Sequence, residues 1–243
     1  MADLKFLYQS PALVVDDALI IGDTHFGIEE KLKKKGIFDR TFSLRMSQSI
    51  IDLVISHKCT EVIFLGDVKE NITQIDPYTF ESLESISKVA KITIVRGNHD
   101  GGIEKYFKAK IIDSSGFVFS NLGLFHGHAW PDEKLFECDY LICGHQHPLI
   151  EIRDSSGKIH KEPAWFICPP NLKNIEEKYK NFNKKIKLIL LPAFNPFLGN
   201  SLKSSSEKHL GPLLNNKLFK LDSALIYRLN GTCFGQLDQI QTE

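Results

Sequence analysis

Residues 91–100 read KITIVRGNHD, an apolar run that breaks at Arg96-Gly97 into Asn98-His99-Asp100. Ile92-Thr93-Ile94-Val95 is β-branched throughout and predicts a strand. Three side chains able to bind metal or move protons follow it directly. The same arrangement recurs on both sides. Upstream, ALII at 18–21 leads into Gly22-Asp23-Thr24-His25, and VIFL at 62–65 leads into Gly66-Asp67-Val68-Lys69-Glu70. Downstream, LGLF at 122–125 leads into His126-Gly127-His128, and YLIC at 140–143 into Gly144-His145-Gln146-His147. Taken singly, each segment is ordinary: a Gly-Asp after a strand is usually a turn, and an Asn-His-Asp can cap a helix. Together, five polar segments after five strands converge on one sheet edge, where α/β proteins bind ligands. Glycine opens four of them and permits a sharp turn.

Between these strands the pattern is helical. Phe42, Leu44, Met46, Ile50, Leu53 and Val54 recur at helical spacing between Phe38 and His57, and a second helix is expected over Asp76 to Val89. ALVV at 12–15 and ALIIG at 18–22 flank Asp16-Asp17 as a hairpin. This β-α-β-α-β succession predicts an α/β sheet with helices outside it. Beyond Ser115 the chain is strand-rich, with runs at 116–120, 122–125, 139–143, 149–153, 165–168 and 186–191. Asp154-Ser155-Ser156-Gly157 marks a hairpin, and Asn230-Gly231 another between 224–229 and 232–237. Residues 195–217, rich in Ser, Asn, Gly and Pro, read as a surface loop. One domain over 1–243 is the expectation.

Thirty Lys and Arg balance thirty Asp and Glu in 243 residues, which removes the argument from overall charge for a nucleic-acid coat protein. Five dispersed cysteines without a CxxC pair read as reduced thiols in a cytosolic core rather than a zinc ribbon. MADLKFLYQS is unlike a signal peptide. No window approaches the ~18 apolar residues of a membrane span. A cytoplasmic protein without a membrane partner is expected.

The chemistry of the five segments is that of a two-metal site. Asp, His and Asn ligands without thiolate suit manganese, iron or similar ions with open positions and disfavour a closed structural zinc site. Asp23 and His25 can chelate one ion from a single turn, His145 and His147 can face two ions, and a carboxylate such as Asp67 can bridge them. Such a pair of ions generates a hydroxide nucleophile and clamps a phosphoryl group, so a phosphate ester is the natural substrate.

The ordered set Asp23-x-His25, Gly66-Asp67, Gly97-Asn98-His99-Asp100, His126-Gly127 and Gly144-His145-x-His147 resembles the calcineurin-like metallophosphoesterase superfamily. The resemblance implies a four-layer α-β-β-α sandwich and two divalent ions, manganese first, with iron, nickel or zinc as alternatives. It implies a first ion on Asp23, His25, Asp67 and His147, and a second on Asp67, Asn98, His126 and His145. It gives His99 the role of general acid, with Asp100 as its orienting partner. A finer resemblance is to stand-alone phosphoesterases related to SbcD/Mre11, including the DNA-ligase-associated group. It rests on Gly66–Lys69, Val95–Asp100, His126–Pro131 and Leu191-Pro192-Ala193-Phe194-Asn195-Pro196. Glu70 departs from it, standing where relatives often carry His or Asp. By this resemblance nucleic acid or a nucleotide is the substrate class, and a DNA-repair protein such as a ligase or helicase is a partner.

Arg96, Lys69 and His128 are candidate substrate contacts, each weighed against a surface salt bridge or a turn. Lys33-Lys34-Lys35 with Arg40 and Arg45 is a candidate basic patch or a solvated helix face. Trp130 and Trp165 are candidates for stacking a base or for the core. The reading is a phosphodiesterase or nuclease-like hydrolase, in which a metal-bridging hydroxide attacks phosphorus and His99 protonates the leaving group. Its alternatives are a phosphomonoesterase or nucleotide phosphatase, and a non-catalytic protein-binding scaffold.

Overall fold

Period-two burial gives each sheet two apolar faces, and that alternation sets the layers of the molecule. The computed structural model describes residues 4–202 and 210–240. The first sheet runs in the order β1 (Leu4–Phe6), β2 (Leu13–Val15), β3 (Ala18–Ile21), β4 (Glu61–Phe64), β5 (Lys91–Val95) and β6 (Lys110–Ile112). Strands β3 to β6 are parallel, and β2 and β3 form the expected hairpin. Along β3, Leu19 and Ile21 face the helices, while Ala18 and Ile20 face the second sheet. Val62 and Phe64 alternate with Ile63 and Leu65 in the same way along and just past β4.

Three helices cover the outer face of this sheet: α1 (Glu29–Lys34), α2 (Phe42–His57) and α3 (Pro77–Ser87). In α2 the buried residues Phe42, Met46, Ile50 and Val54 recur every fourth position, the spacing of one helical face. The helix starts four residues later than its apolar pattern suggests, because Asp39 instead binds the Thr41 amide and the Arg45 guanidinium. Asp76 caps α3 by accepting from the Thr79 amide at 3.0 Å, with Pro77 in the first turn.

The second sheet holds β7 (Phe117–Phe119), β8 (Leu122–Phe125), β9 (Tyr140–Cys143), β10 (Pro148–Arg153), β11 (Ile159–Cys168), β12 (Lys187–Leu190), β13 (Asn200–Ser201), β14 (Leu225–Arg228) and β15 (Cys233–Gln236). Its main path is β13-β10-β11-β12-β9-β8-β7, with β14 and β15 added on β11. Leu124, Ile142, Trp165, Ile189 and Leu191 meet Ile20, Ile63, Leu65 and Val95 of the first sheet in a core between the sheets. The far face buries Phe125, Leu141, Phe166 and Leu190 beneath α4 (Leu172–Glu176), α5 (Pro212–Asn215) and α6 (Leu237–Ile240). The expected four-layer α-β-β-α sandwich is the observed architecture. Two expectations change. Within the supposed loop at 195–217, Asn200–Ser201 pairs with β10, Pro212–Asn215 is helical, and Leu202, Leu213 and Leu214 are buried; residues 203–209 lie outside the described part. Cys233 is exposed, whereas the other four cysteines are in the core. No helix among the described residues is long and apolar enough to cross a membrane.

Candidate metal centre

Five turns meet where β3, β4 and β5 of one sheet and β8 and β9 of the other end side by side. Backbone pairing continues past the first two strands. The Asp23 amide donates to the Gly66 carbonyl at 3.1 Å, His25 to Asp67 at 2.9 Å and Phe26 to Val68 at 2.8 Å. Left-handed backbone then turns the side chains to the centre: φ is 55° at Asp23, 43° at His25, 49° at Asp67, 66° at His145 and 45° at His147. Each such non-glycine residue costs on the order of 1 kcal/mol, a strain that concentrates at functional sites. Glycine is required at two neighbouring points. A Cβ on Gly66, whose φ is +82°, would stand 2.4 Å from the His126 ring, and one on Gly97 would stand 2.2 Å from the Asp67 amide nitrogen.

The seven expected ligands come together. Asp23, His25 and His147 each offer an atom within 4.8 Å of the others, as do Asp67, His126 and His145. Asp67 links the two groups, with Oδ2 3.4 Å from His25 Nε2 and Oδ1 3.5 Å from His126 Nε2. Asn98 Oδ1 lies 3.2 Å from His126 Nε2, and His147 Nε2 lies 3.2 Å from Asp23 Oδ1. Asp23 is fully buried and accepts the His145 amide at 2.9 Å, so the second sheet also holds this carboxylate in place.

These residues fit divalent ions on chemical grounds. His25 Nδ1 donates to Glu70 Oε2 at 2.8 Å and His126 Nδ1 to the Leu65 carbonyl at 2.7 Å, because those oxygens only accept. Each ring therefore turns Nε2 to the centre, the arrangement that orients metal-binding histidines. His25 Nε2 and His147 Nε2 are buried without a hydrogen-bond partner, a condition that calls for a ligand. Burial disfavours charge on His25 and His126, but the Asp67 and Asp23 carboxylates, with Glu70 beside His25 and the Leu65 carbonyl beside His126, together outweigh it and raise both to about 9. Burial works to raise the Asp67 carboxyl, yet His126 and His25 hold it far below the usual carboxylate range. His145 is different: burial, helped by the His126 charge, lowers it to about 4 and keeps its ring neutral, the form that ligates metal.

The surroundings of His99 depart from expectation. His99 lies beside the centre, its ring centroid 4.7 Å from that of His25, and it groups with His25 and Asp67. Its Nδ1 donates to the Glu70 carbonyl at 2.8 Å, leaving Nε2 free. Asp100 does not orient it. That carboxylate is fully buried and accepts the Val68 amide at 2.9 Å and the Gly97 amide at 2.8 Å, so it ties two site turns together. Glu70 does the orienting: its carbonyl holds His99, and its side chain holds His25 and pairs with Lys31 at 2.9 Å. The distinctive Glu70 was visible in the sequence, but which of its groups would face which ring was not.

The three candidate substrate contacts separate. Lys69 is fully buried and its ammonium donates to the Asn71 and Ile72 carbonyls at 2.6 and 2.8 Å, so it braces the loop after β4. Arg96 pairs with Glu104 at 3.2 Å. His128 stays at the site, its centroid 5.1 Å from that of His126, and its Nδ1 is buried without a partner. Trp165 is in the inter-sheet core, and Trp130 is 37% exposed beneath the Lys178 ammonium at 3.6 Å. Lys33, Lys34 and Lys35 are exposed at the end of α1, and Arg45 is paired with Asp39.

A two-sheet sandwich with helices on both outer faces, and an aspartate–histidine cluster at its inner strand ends, defines a metallophosphoesterase-type protein. Residues 17–177 match the calcineurin-like phosphoesterase superfamily domain, and the chain belongs to that family. Among solved structures it is similar to Pseudomonas putida nuclease MPE, at 19% identity over 95% of this chain and 98% of that one, with a TM-score of 0.60. It is also similar to YfcE, a phosphoesterase from E. coli, at 17% identity over 90% and 97% of the two chains, with a TM-score of 0.45. No curated protein matches it in sequence.

Proposed function

We propose that this protein is a dinuclear, manganese-dependent phosphodiesterase related to the SbcD/Mre11 type, acting on nucleic acid or a nucleotide. The observation that carries the proposal is the pair of carboxylates, Asp23 and Asp67, ringed by imidazoles, of which His25 and His147 bring buried Nε2 atoms without hydrogen-bond partners. Asp23, His25, Asp67 and His147 would hold one ion, and Asp67, Asn98, His126 and His145 the other. Divalent ions there supply an acidified water and a polarised phosphoryl oxygen.

The remaining chemistry belongs to the chain. Glu70 keeps Nδ1 of His99 engaged through its carbonyl, so that the proton a leaving alkoxide receives is the one on Nε2. The ring is neutral after that transfer and still donates from Nδ1, so it does not move. Asp100 fixes the turns at Gly97 and Val68, and with them the spacing of Asn98 from Asp67. The fold of the Pseudomonas nuclease supports a diester reading.

The test is hydrolysis of bis-p-nitrophenyl phosphate beside p-nitrophenyl phosphate with added manganese, with Asp67→Asn as the blank. Diester turnover that exceeds monoester turnover and vanishes in the variant is the expected result. Monoester preference would assign a phosphomonoesterase instead, and bound manganese with no turnover of either ester would revive a protein-binding scaffold.

A further inference from the structure

Beside His147 the fold forms a half-open cavity of about 800 Å³, between α2, the start of β10 and the segment 193–199. That volume is in the range that takes a small organic ligand. His147 is part of its wall while its Nε2 lies 3.2 Å from Asp23 Oδ1, so one imidazole separates the cavity from the candidate metal centre. We infer that this cavity receives the heteroaromatic base of a nucleotide phosphodiester whose phosphate lies at the aspartate–histidine cluster. The inference rests on the phosphodiesterase reading above and adds to it a pocket for the group attached to phosphorus.

Two features of the wall favour a base. Phe42 and Phe197 stand with ring centroids 4.7 Å apart, and Phe197 is 49% exposed although it lines a cavity, a placement suited to stacking a planar ring. Gln9, Ser49 and Asp52 line the same space with hydrogen-bonding groups, which the edges of a base can meet and an acyl chain cannot.

The wall is also in fixed register with the metal centre. Phe194 donates its amide to the Gly22 carbonyl at 2.9 Å, and the fully buried Asn195 donates its side-chain amide to the Thr24 carbonyl at 3.0 Å. The Asn195 side-chain oxygen then accepts the Phe197 amide at 3.0 Å. A single asparagine thus ties Phe197 to the turn that carries Asp23 and His25, and a site of this kind needs such positioning.

The experiment compares p-nitrophenyl thymidine 5′-phosphate with p-nitrophenyl methyl phosphate, manganese present, so that the leaving group is the same and only the nucleoside differs. A preference in kcat/KM of about tenfold or more for the nucleotidyl ester is expected, the scale of one stacked base. Ser49→Trp, which fills the cavity from the exposed face of α2, should cut that preference to about a third or less, and Phe197→Leu should weaken it; the ratio cancels any general loss of activity. Inhibition by thymidine 5′-phosphate would assign a free nucleotide, and tighter inhibition by a short single-stranded oligothymidylate would assign a nucleic-acid end. Equal kcat/KM on the two esters, or a rise with alkyl length from methyl to octyl, overturns the inference. If neither ester is turned over, the phosphodiesterase reading fails, and saturation-transfer NMR with thymidine decides the pocket separately. Transfer lost in Ser49→Trp supports a base site, whereas none in the wild-type protein removes it.

Discussion

The two sheets furnish different chemistry to one centre. The first contributes both carboxylates, Asp23 and Asp67, with Asn98, His25 and His99; the second contributes only imidazoles, His126, His145 and His147. Each buried carboxylate meets a histidine from across the sandwich, Asp67 with His126 at 3.5 Å and Asp23 with His147 at 3.2 Å. Burying a carboxylate alone is costly, and a partner arriving from the other sheet offsets that cost. The contrast shows that the site is a property of the inter-sheet packing and that neither sheet builds it alone.

Variants can break this contrast, and the largest effect should fall on its centre. Asp67→Asn removes the oxygen pair that meets His25 and His126, and diester hydrolysis should drop to background while thermal unfolding stays cooperative. His145→Ala, on the imidazole side, should lose less, and excess manganese should restore part of it; equal and unrecoverable loss in both would abolish the distinction between the sheets. Next in size is His99→Ala. Turnover of diesters with alkyl leaving groups should fall by roughly 10²–10⁴-fold, the usual contribution of a positioned acid. Nitrophenyl esters should suffer far less, and a uniform loss across leaving groups would take the proton-donor role from His99.

Smaller effects sharpen the picture of what surrounds the centre. Glu70→Gln keeps the carbonyl that holds His99 but weakens the grip on His25 Nδ1. Manganese affinity, followed by calorimetry, should weaken by about 10 to 100-fold, as for other groups that orient a metal-bound histidine. Unchanged affinity would mean that His25 is held in place by the sheet alone. The least effect on catalysis is expected from Lys69→Met, which leaves the Asn71 and Ile72 carbonyls without their donor. It should lower stability by about 1 kcal/mol in urea unfolding, the usual net worth of a hydrogen bond, because both carbonyls are only partly buried. A large rise in KM with unaltered stability would instead return Lys69 to the substrate.

Much of this was legible in the chain. The alternation at Leu19–Ile21 and Val62–Leu65 announces strands buried on both faces, and the Asp, Asn and His residues after them mark where those strands stop. The helix of α2 is written in Phe42, Met46, Ile50 and Val54. Residues 195–217 were misread because polar Ser, Asn and Gly residues surround the few apolar anchors, Leu202, Leu213 and Leu214, that fasten the segment down. Side-chain direction was not legible either. Asp100, next to His99, reaches back to the amides of Val68 and Gly97, whereas Glu70, twenty-nine positions away, holds the His99 ring.

The sequence by itself determined the strands and helices between Leu13 and Val95 and the five polar segments that follow strands, because periodicity and residue chemistry are local; the resemblance to the phosphoesterase family picked out the seven candidate ligands among them. Only the tertiary structure decided which nitrogen of His25, His126 and His147 faces the centre, that Glu70 rather than Asp100 holds the His99 ring, and that a cavity adjoins His147. Those outcomes depend on left-handed turns and on contacts between two sheets far apart in the chain, and residue spacing carries no information about either.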